Sequence, residues 1–215
     1  MHPTLRAPAA LASTAAALLL ALLTWRVRSA GASLPSDLFW ADTLQALHSQ
    51  QLSALMLAAH RLQGWLVAMS TLLWAGMLAW HRRWAALRLL AIALPGGMLV
   101  NVGLKLLIHR PRPALPAAVG AHGFAYPSGH VVAITLFCGC LLLESFRGTS
   151  SAAWRGAACI VAVAVVALVA VSRVYLGVHQ ASDAAAGLLL GVAWLGVCLA
   201  AAQAPGRAGG SKTMR

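Results

Sequence analysis

The chain is short of acid. Asp37, Asp42, Glu144 and Asp183 are the four Asp and Glu residues among 215, against 16 Lys and Arg. So few carboxylates exclude a carboxylate-held two-metal centre. Cysteine is scarce too, and Cys138, Cys140, Cys159 and Cys198 lie inside apolar runs without C-x-x-C spacing. They read as small buried apolar residues, not as a disulfide framework or a thiolate metal site. Charged residues make up only 9% of the chain, with no dense basic arm and no basic surface interleaved with aromatics. The formal net charge of +12 therefore points to membrane orientation rather than to nucleic acid.

What the chain has in abundance is apolar residues, 60% of the total, with a mean hydropathy of +0.79. Six runs cover residues 7–25, 62–80, 85–108, 128–146, 155–173 and 183–203. At about 20 residues each they suffice to cross a hydrocarbon core of ~30 Å. Backbone facing lipid must satisfy its N–H and C=O groups internally, so the runs are expected as helices. The expected fold is all-α, a polytopic bundle of six transmembrane helices forming one domain over residues 1–204. A polar, Gly-containing, flexible cytoplasmic tail is expected over 205–215.

Three segments qualify this plan. The first run looks like a secretory signal, but its length and the Trp25, Arg26 and Arg28 that follow it fit an uncleaved helix. Residues 38–61 read either as an interfacial amphipathic helix or as an extension of the second span. Pro95-Gly96-Gly97 predicts a kink in the third.

Six spans put both termini on one side. With them lie Arg6, Arg82, Arg83, Arg88, Arg147, Arg155, Arg207, Lys212 and Arg215, nine cations against seven on the other side. Setting aside Lys105, Arg112 and Arg173, which belong to the constellation below, leaves four of the seven. The termini are then expected in the cytoplasm, and the loops after spans one, three and five outside. The Ala, Leu, Arg and Trp usage fits a bacterial inner membrane.

Those outer ends collect polar groups. Lys105 ends span three and Arg112-Pro113 follows it; Pro127-Ser128-Gly129-His130 opens span four; Arg173 ends span five, and His179 with Asp183 opens span six. Each alone has an ordinary reading: a snorkelling lysine, a serine helix cap, a structural histidine, an i,i+4 surface pair. Together they are ionisable groups converging on one interface at membrane depth, a costly arrangement that marks function. Lys105, Arg112 and Arg173 with the Ser128 hydroxyl and the Gly129 N–H suit a phosphate dianion and the equatorial oxygens of its transition state. One imidazole for attack, another for the leaving oxygen and a carboxylate to fix the tautomer complete a phosphoryl-transfer set.

These residues resemble the three signature motifs of the type 2 phosphatidic acid phosphatase superfamily, whose relatives include vanadium-dependent haloperoxidases. Lys105 to Pro113 fits K-x6-R-P, Pro127 to His130 fits P-S-G-H, and Ser172 to Asp183 fits S-R-x5-H-x3-D. The resemblance implies a metal-independent phosphatase without a cofactor. In it His179 is the nucleophile forming a phosphohistidine, Asp183 its orienting partner, and His130 the acid and later the base. Lys105, Arg112, Ser128, Gly129 and Arg173 hold the phosphate. The substrate implied is a membrane lipid phosphate of the phosphatidate, phosphatidylglycerol phosphate or undecaprenyl diphosphate type. Lipid phosphotransfer and non-catalytic binding of anionic headgroups stay open as alternatives, and so does the oligomeric state. Vanadate is expected to inhibit. His60, His81, His109 and His122 lie outside the motifs, with His122 a candidate for the mouth of the site and His109 an interfacial residue.

Overall fold

The computed structural model describes residues 6–31, 33–113, 122–148 and 151–203. The tail expected over 205–215 lies outside these residues. Seven helices follow in order: α1 Arg6–Ala30, α2 Pro35–Ala46, α3 Gln50–Trp80, α4 Trp84–Ile108, α5 Gly129–Gly148, α6 Ala152–Tyr175 and α7 Ala181–Gln203. All but α2 are long and apolar enough to cross a membrane. At 12 residues, α2 rises only about 18 Å, well short of a hydrocarbon core.

Residues 38–61 divide between two helices. A separate short helix, α2, occupies their first part and starts earlier, at Pro35, while the remainder is the beginning of α3. The break is local chemistry. Ser49 has extended backbone and its hydroxyl accepts from Leu52 N at 3.2 Å, capping α3. Ser151 begins α6 in the same way, accepting from Trp154 N at 3.3 Å.

α7 is apolar on every side and packs against α1, α2, α4, α5 and α6, which makes it the central helix. Close approach needs small residues, because helices in lipid gain stability from packing rather than from exclusion of water. A Cβ at Gly187 would come within 2.7 Å of the Ser128 carbonyl oxygen, and one at Gly191 within 2.6 Å of Thr135. These two glycines therefore seat α7 against α5.

Pro95 does not break α4, which is helical from Trp84 to Ile108. The Pro-Gly-Gly string seats the Trp194 indole of α7. A Cβ at Gly96 would meet that ring at 2.7 Å, and Trp194 Nε1 donates to the Ala93 carbonyl at 3.1 Å. Outward-facing leucines such as Leu72, Leu73 and Leu99 are exposed, as a lipid-facing surface requires. The four cysteines are free thiols within the helices.

Candidate active site

The site is assembled from helix ends. α4 stops because His109 takes a left-handed conformation, φ 52° and ψ 29°, while its N–H still bonds the Lys105 carbonyl. This sharp turn sends Arg110 back into the bundle, where it is 4% exposed, and leaves His109 outside against the edge of Phe124. Between α6 and α7, the N–H groups of Val178 and His179 both bond the Arg173 carbonyl, at 3.2 and 3.3 Å. Gly177 at φ 70° supplies the left-handed residue of that tight loop. The start of α5 is pinned to the start of α7 through Ser128 N and the Asp183 carbonyl at 2.9 Å.

All the motif residues meet there. His130 lies within electrostatic reach of Arg173, His179, His60 and Arg112, and His179 within reach of Asp183, Arg112 and Lys105. Lys105 Nζ donates to the carbonyls of Phe124 and Ala125 at 2.6 and 3.3 Å, which uses two of its three N–H groups. Arg112 holds the loops together by donating to the carbonyls of Gly123 (3.1 Å), His122 (3.0 Å) and Val178 (2.7 Å). His122 itself is exposed and contributes this carbonyl contact. Arg173 is fully buried, and its Nε and one Nη donate to Ser172 Oγ at 3.2 and 3.1 Å.

Among the described residues at this site, two buried side-chain atoms have no hydrogen-bond partner: Ser128 Oγ and His179 Nδ1. Native structures rarely leave such groups unsatisfied, and those that persist call for a ligand or a role in chemistry. His179 Nδ1 is 3.5 Å from Asp183 Oδ2, an ion-pair distance rather than a tight hydrogen bond. That carboxylate oxygen is already engaged by Gln180 N at 2.8 Å. Burial holds the His179 pKa below the ordinary histidine value, while Asp183 pulls it back up. Burial lowers Arg112 as well, against the attraction of Asp183.

The motif pattern missed a second acid and a fourth cation. Asp183 Oδ1 accepts from Arg110 at 2.6 Å, and the other end of the same guanidinium donates to Asp37 at 2.9 Å and to Gln180 Oε1. Asp37 also accepts from the Ser182 N–H at 2.7 Å, the Ser182 hydroxyl at 2.8 Å and the Leu34 N–H at 3.0 Å. It therefore satisfies first-turn donors of both α2 and α7, where a carboxylate also meets the positive ends of the helix dipoles. Asp183 is thus not the sole acid at this end of the bundle. The available signal for Asp37 was Pro35-Ser36-Asp37, a proline followed by a first-turn acid, which marks a helix start. Arg110, lying beside Arg112 in an Arg-Pro-Arg-Pro run, gave no separate signal.

Beneath the site, Tyr126, Val27 and Ala186 form a packed floor, with the Tyr126 hydroxyl 2.8 Å from Thr24 Oγ1. Burial pushes that phenol up to about 12, so it stays neutral. Among the described residues, no three His, Cys, Asp or Glu side chains come together as a metal-ligand set.

Comparison with known proteins places this arrangement in a wider group. The family profile described as the PAP2 superfamily matches residues 84–207, more than half of the chain. Phosphatidylglycerophosphatase B of Bacillus subtilis (strain 168) is 30% identical over 130 residues, which is 59% of this chain and 63% of that protein. The match thus spans somewhat less than two thirds of that relative. A crystal structure described as the first transmembrane PAP2 type phosphatidylglycerolphosphate phosphatase from Bacillus subtilis superposes with a TM-score of 0.72 at 24% identity, over 87% of this chain and 94% of that one. The structure of Aquifex aeolicus LpxE gives 0.59 at 18% identity, over 76% and 94%. At these identities the two structures establish a shared fold.

Proposed function

The chain belongs to the PAP2 superfamily, and from that premise we propose that this integral membrane protein hydrolyses a phosphomonoester or diphosphate of a lipid through a phosphohistidine on His179, without a metal. The observation that carries the reading is the buried Ser128 hydroxyl without a hydrogen-bond partner, set with the buried His179–Asp183 pair inside a ring of cations. An anion that accepts from the serine hydroxyl, Lys105, Arg112 and Arg173 places its phosphorus before the imidazole. Phosphatidate, phosphatidylglycerol phosphate and undecaprenyl diphosphate are the candidate substrates. The name of the Bacillus subtilis relative favours the second.

In the first step the neutral His179 ring attacks phosphorus with its Nε2 lone pair. The bond to the leaving oxygen breaks, and His130 delivers a proton to that oxygen. Asp183 stabilises the ring as it becomes cationic. In the second step His130 takes a proton from water, the water oxygen bonds to phosphorus, and His179 leaves as the neutral imidazole. The three cations and the N–H groups at the start of α5 stabilise the equatorial oxygens in both transition states. The chain's own acids fit a metal-free mechanism, since Asp37 and Asp183 are spent on Arg110 and on backbone N–H groups.

The site lies at the end of the bundle away from the start of α1 and the end of α7. Counting Arg110 with the site leaves Arg26, Arg28 and Arg61 on that side against nine cations on the other. That asymmetry supports cytoplasmic termini and an outward-facing site, in a bacterial inner membrane.

The test is release of inorganic phosphate from a panel of the three lipid phosphates by purified protein in chelator, beside His179→Ala. Release by the wild type alone is expected. Transfer of the phosphoryl group to added lipid alcohol instead of water would make the protein a transferase. Binding without turnover would reduce it to a headgroup-binding protein.

A further inference from the structure

Arg173 and Arg110 are both buried arginines at the same end of the bundle, and they are held in opposite ways. Arg110 is neutralised by Asp37 and Asp183. Among the described residues, no carboxylate pairs with Arg173. Its Nε and one Nη donate to the Ser172 hydroxyl, and its other Nη lies against Nδ1 of His60. A guanidinium has no acceptor atom, so His60 Nδ1 must accept here, and the ring is the neutral tautomer carrying its proton on Nε2. His60 comes from α3, a span that contributes to none of the three motifs, and its ring centroid is 5.7 Å from that of His130.

We propose that His60 is a positioning residue for phosphate recognition: it fixes the Arg173 guanidinium from a neutral acceptor, so that Arg173 is oriented and still carries an uncompensated charge for the substrate anion. A carboxylate at this position would orient the arginine equally well and cancel the charge that the phosphate needs. A hydrocarbon would leave the charge intact and the fork free to rotate. A neutral acceptor does neither, and Ser172, on the other flank of the guanidinium, is neutral for the same reason. The inference rests on the phosphatase reading of the site and adds to it a residue from outside the motifs.

Three substitutions at this position separate orientation from charge. Asn presents a carbonyl oxygen near the place of Nδ1, Asp has the same size with a negative charge, and Ala has neither acceptor nor charge. The readout is the affinity of detergent-solubilised full-length protein for inorganic phosphate, measured by calorimetry, with the KM for a lipid phosphate beside it. His60→Asn is expected to stay within about threefold of wild type, and His60→Ala to weaken phosphate binding by roughly tenfold, the loss of one hydrogen bond to a charged group. His60→Asp is expected to weaken it further than Ala.

A merely structural role would not distinguish Asn from Asp, which match in size, so this pair decides the matter even if the Ala variant fails to fold. Equal affinity in Asn and Asp, or wild-type affinity in Asp and Ala, would overturn the assignment of His60. Arg173→Ala keeps that failure distinct from failure of the underlying reading. If wild type does not bind phosphate and Arg173→Ala releases phosphate from lipid at the wild-type rate, the phosphate site itself is wrong, and the role of His60 falls with it.

Discussion

Two clusters of arginine and acid sit at opposite ends of the bundle. At the end that carries the motifs, Arg110 bridges Asp37 and Asp183, and all three side chains are no more than 2% exposed. At the other end Glu144 meets Arg83 at 2.5 Å and Arg147 at 3.0 Å, with the arginine side chains 49% and 35% exposed. The residue types match and the consequences differ. Water and salt screen the second cluster, so its pairs are weak and interchangeable. The first is cut off from water, so each partner is needed to keep the others from standing as unpaired buried charges. That requirement fixes the Asp183 carboxylate within 3.5 Å of His179 and ties α2, α4 and α7 into one frame around it. Three of the chain's four acids are thus placed where an arginine meets them, and burial decides which cluster shapes a site.

The largest effect is expected at His179, the proposed nucleophile. His179→Ala is expected to lower turnover by roughly 10⁴-fold or more with the fold retained, as phosphate release and gel filtration would show. Next comes Arg110→Ala, which leaves Asp37 and Asp183 buried without their shared cation. A loss of about 3–5 kcal/mol is expected, seen as a large fall in Tm in detergent together with loss of activity.

Asp183→Asn should slow the reaction strongly and also move its pH dependence. Burial lowers the His179 pKa and Asp183 raises it, so the wild-type acidic limb of kcat/KM lies where the ring gains its proton. Removing the carboxylate removes the raising influence, and the limb is expected to shift to lower pH. A shift to higher pH would contradict this placement of Asp183. The smallest effect belongs to the cluster whose arginines are exposed. Glu144→Gln should change stability by less than about 1 kcal/mol and leave kcat where it was. A loss as large as that of Arg110→Ala would erase the distinction between the two ends.

The parts of the fold that follow from composition were legible in the sequence. Apolar runs longer than a bilayer core specify the spanning helices, and motif spacing specifies which residues sit at helix ends. Lys105, Arg112, Ser128, His130, Arg173, His179 and Asp183 do come together. What the chain did not disclose by itself depends on which helix lies beside which. Asp37 matters only because α2 folds against the start of α7, and His60 only because α3 brings it to Arg173. Arg110 reads as one more interfacial arginine until the left-handed turn at His109 directs it inward. Pro95-Gly96-Gly97 shows the same limit, since its use as a seat for Trp194 is set by a partner about a hundred residues away.

The destination of the phosphoryl group decides the mechanism. Rapid quenching of the protein during turnover of a lipid phosphate, followed by base-stable peptide mapping, should find phosphate on His179. It should be absent from His179→Ala, where the attacking imidazole is gone. Turnover with no phosphate on His179, or with phosphate on another residue, would contradict this mechanism.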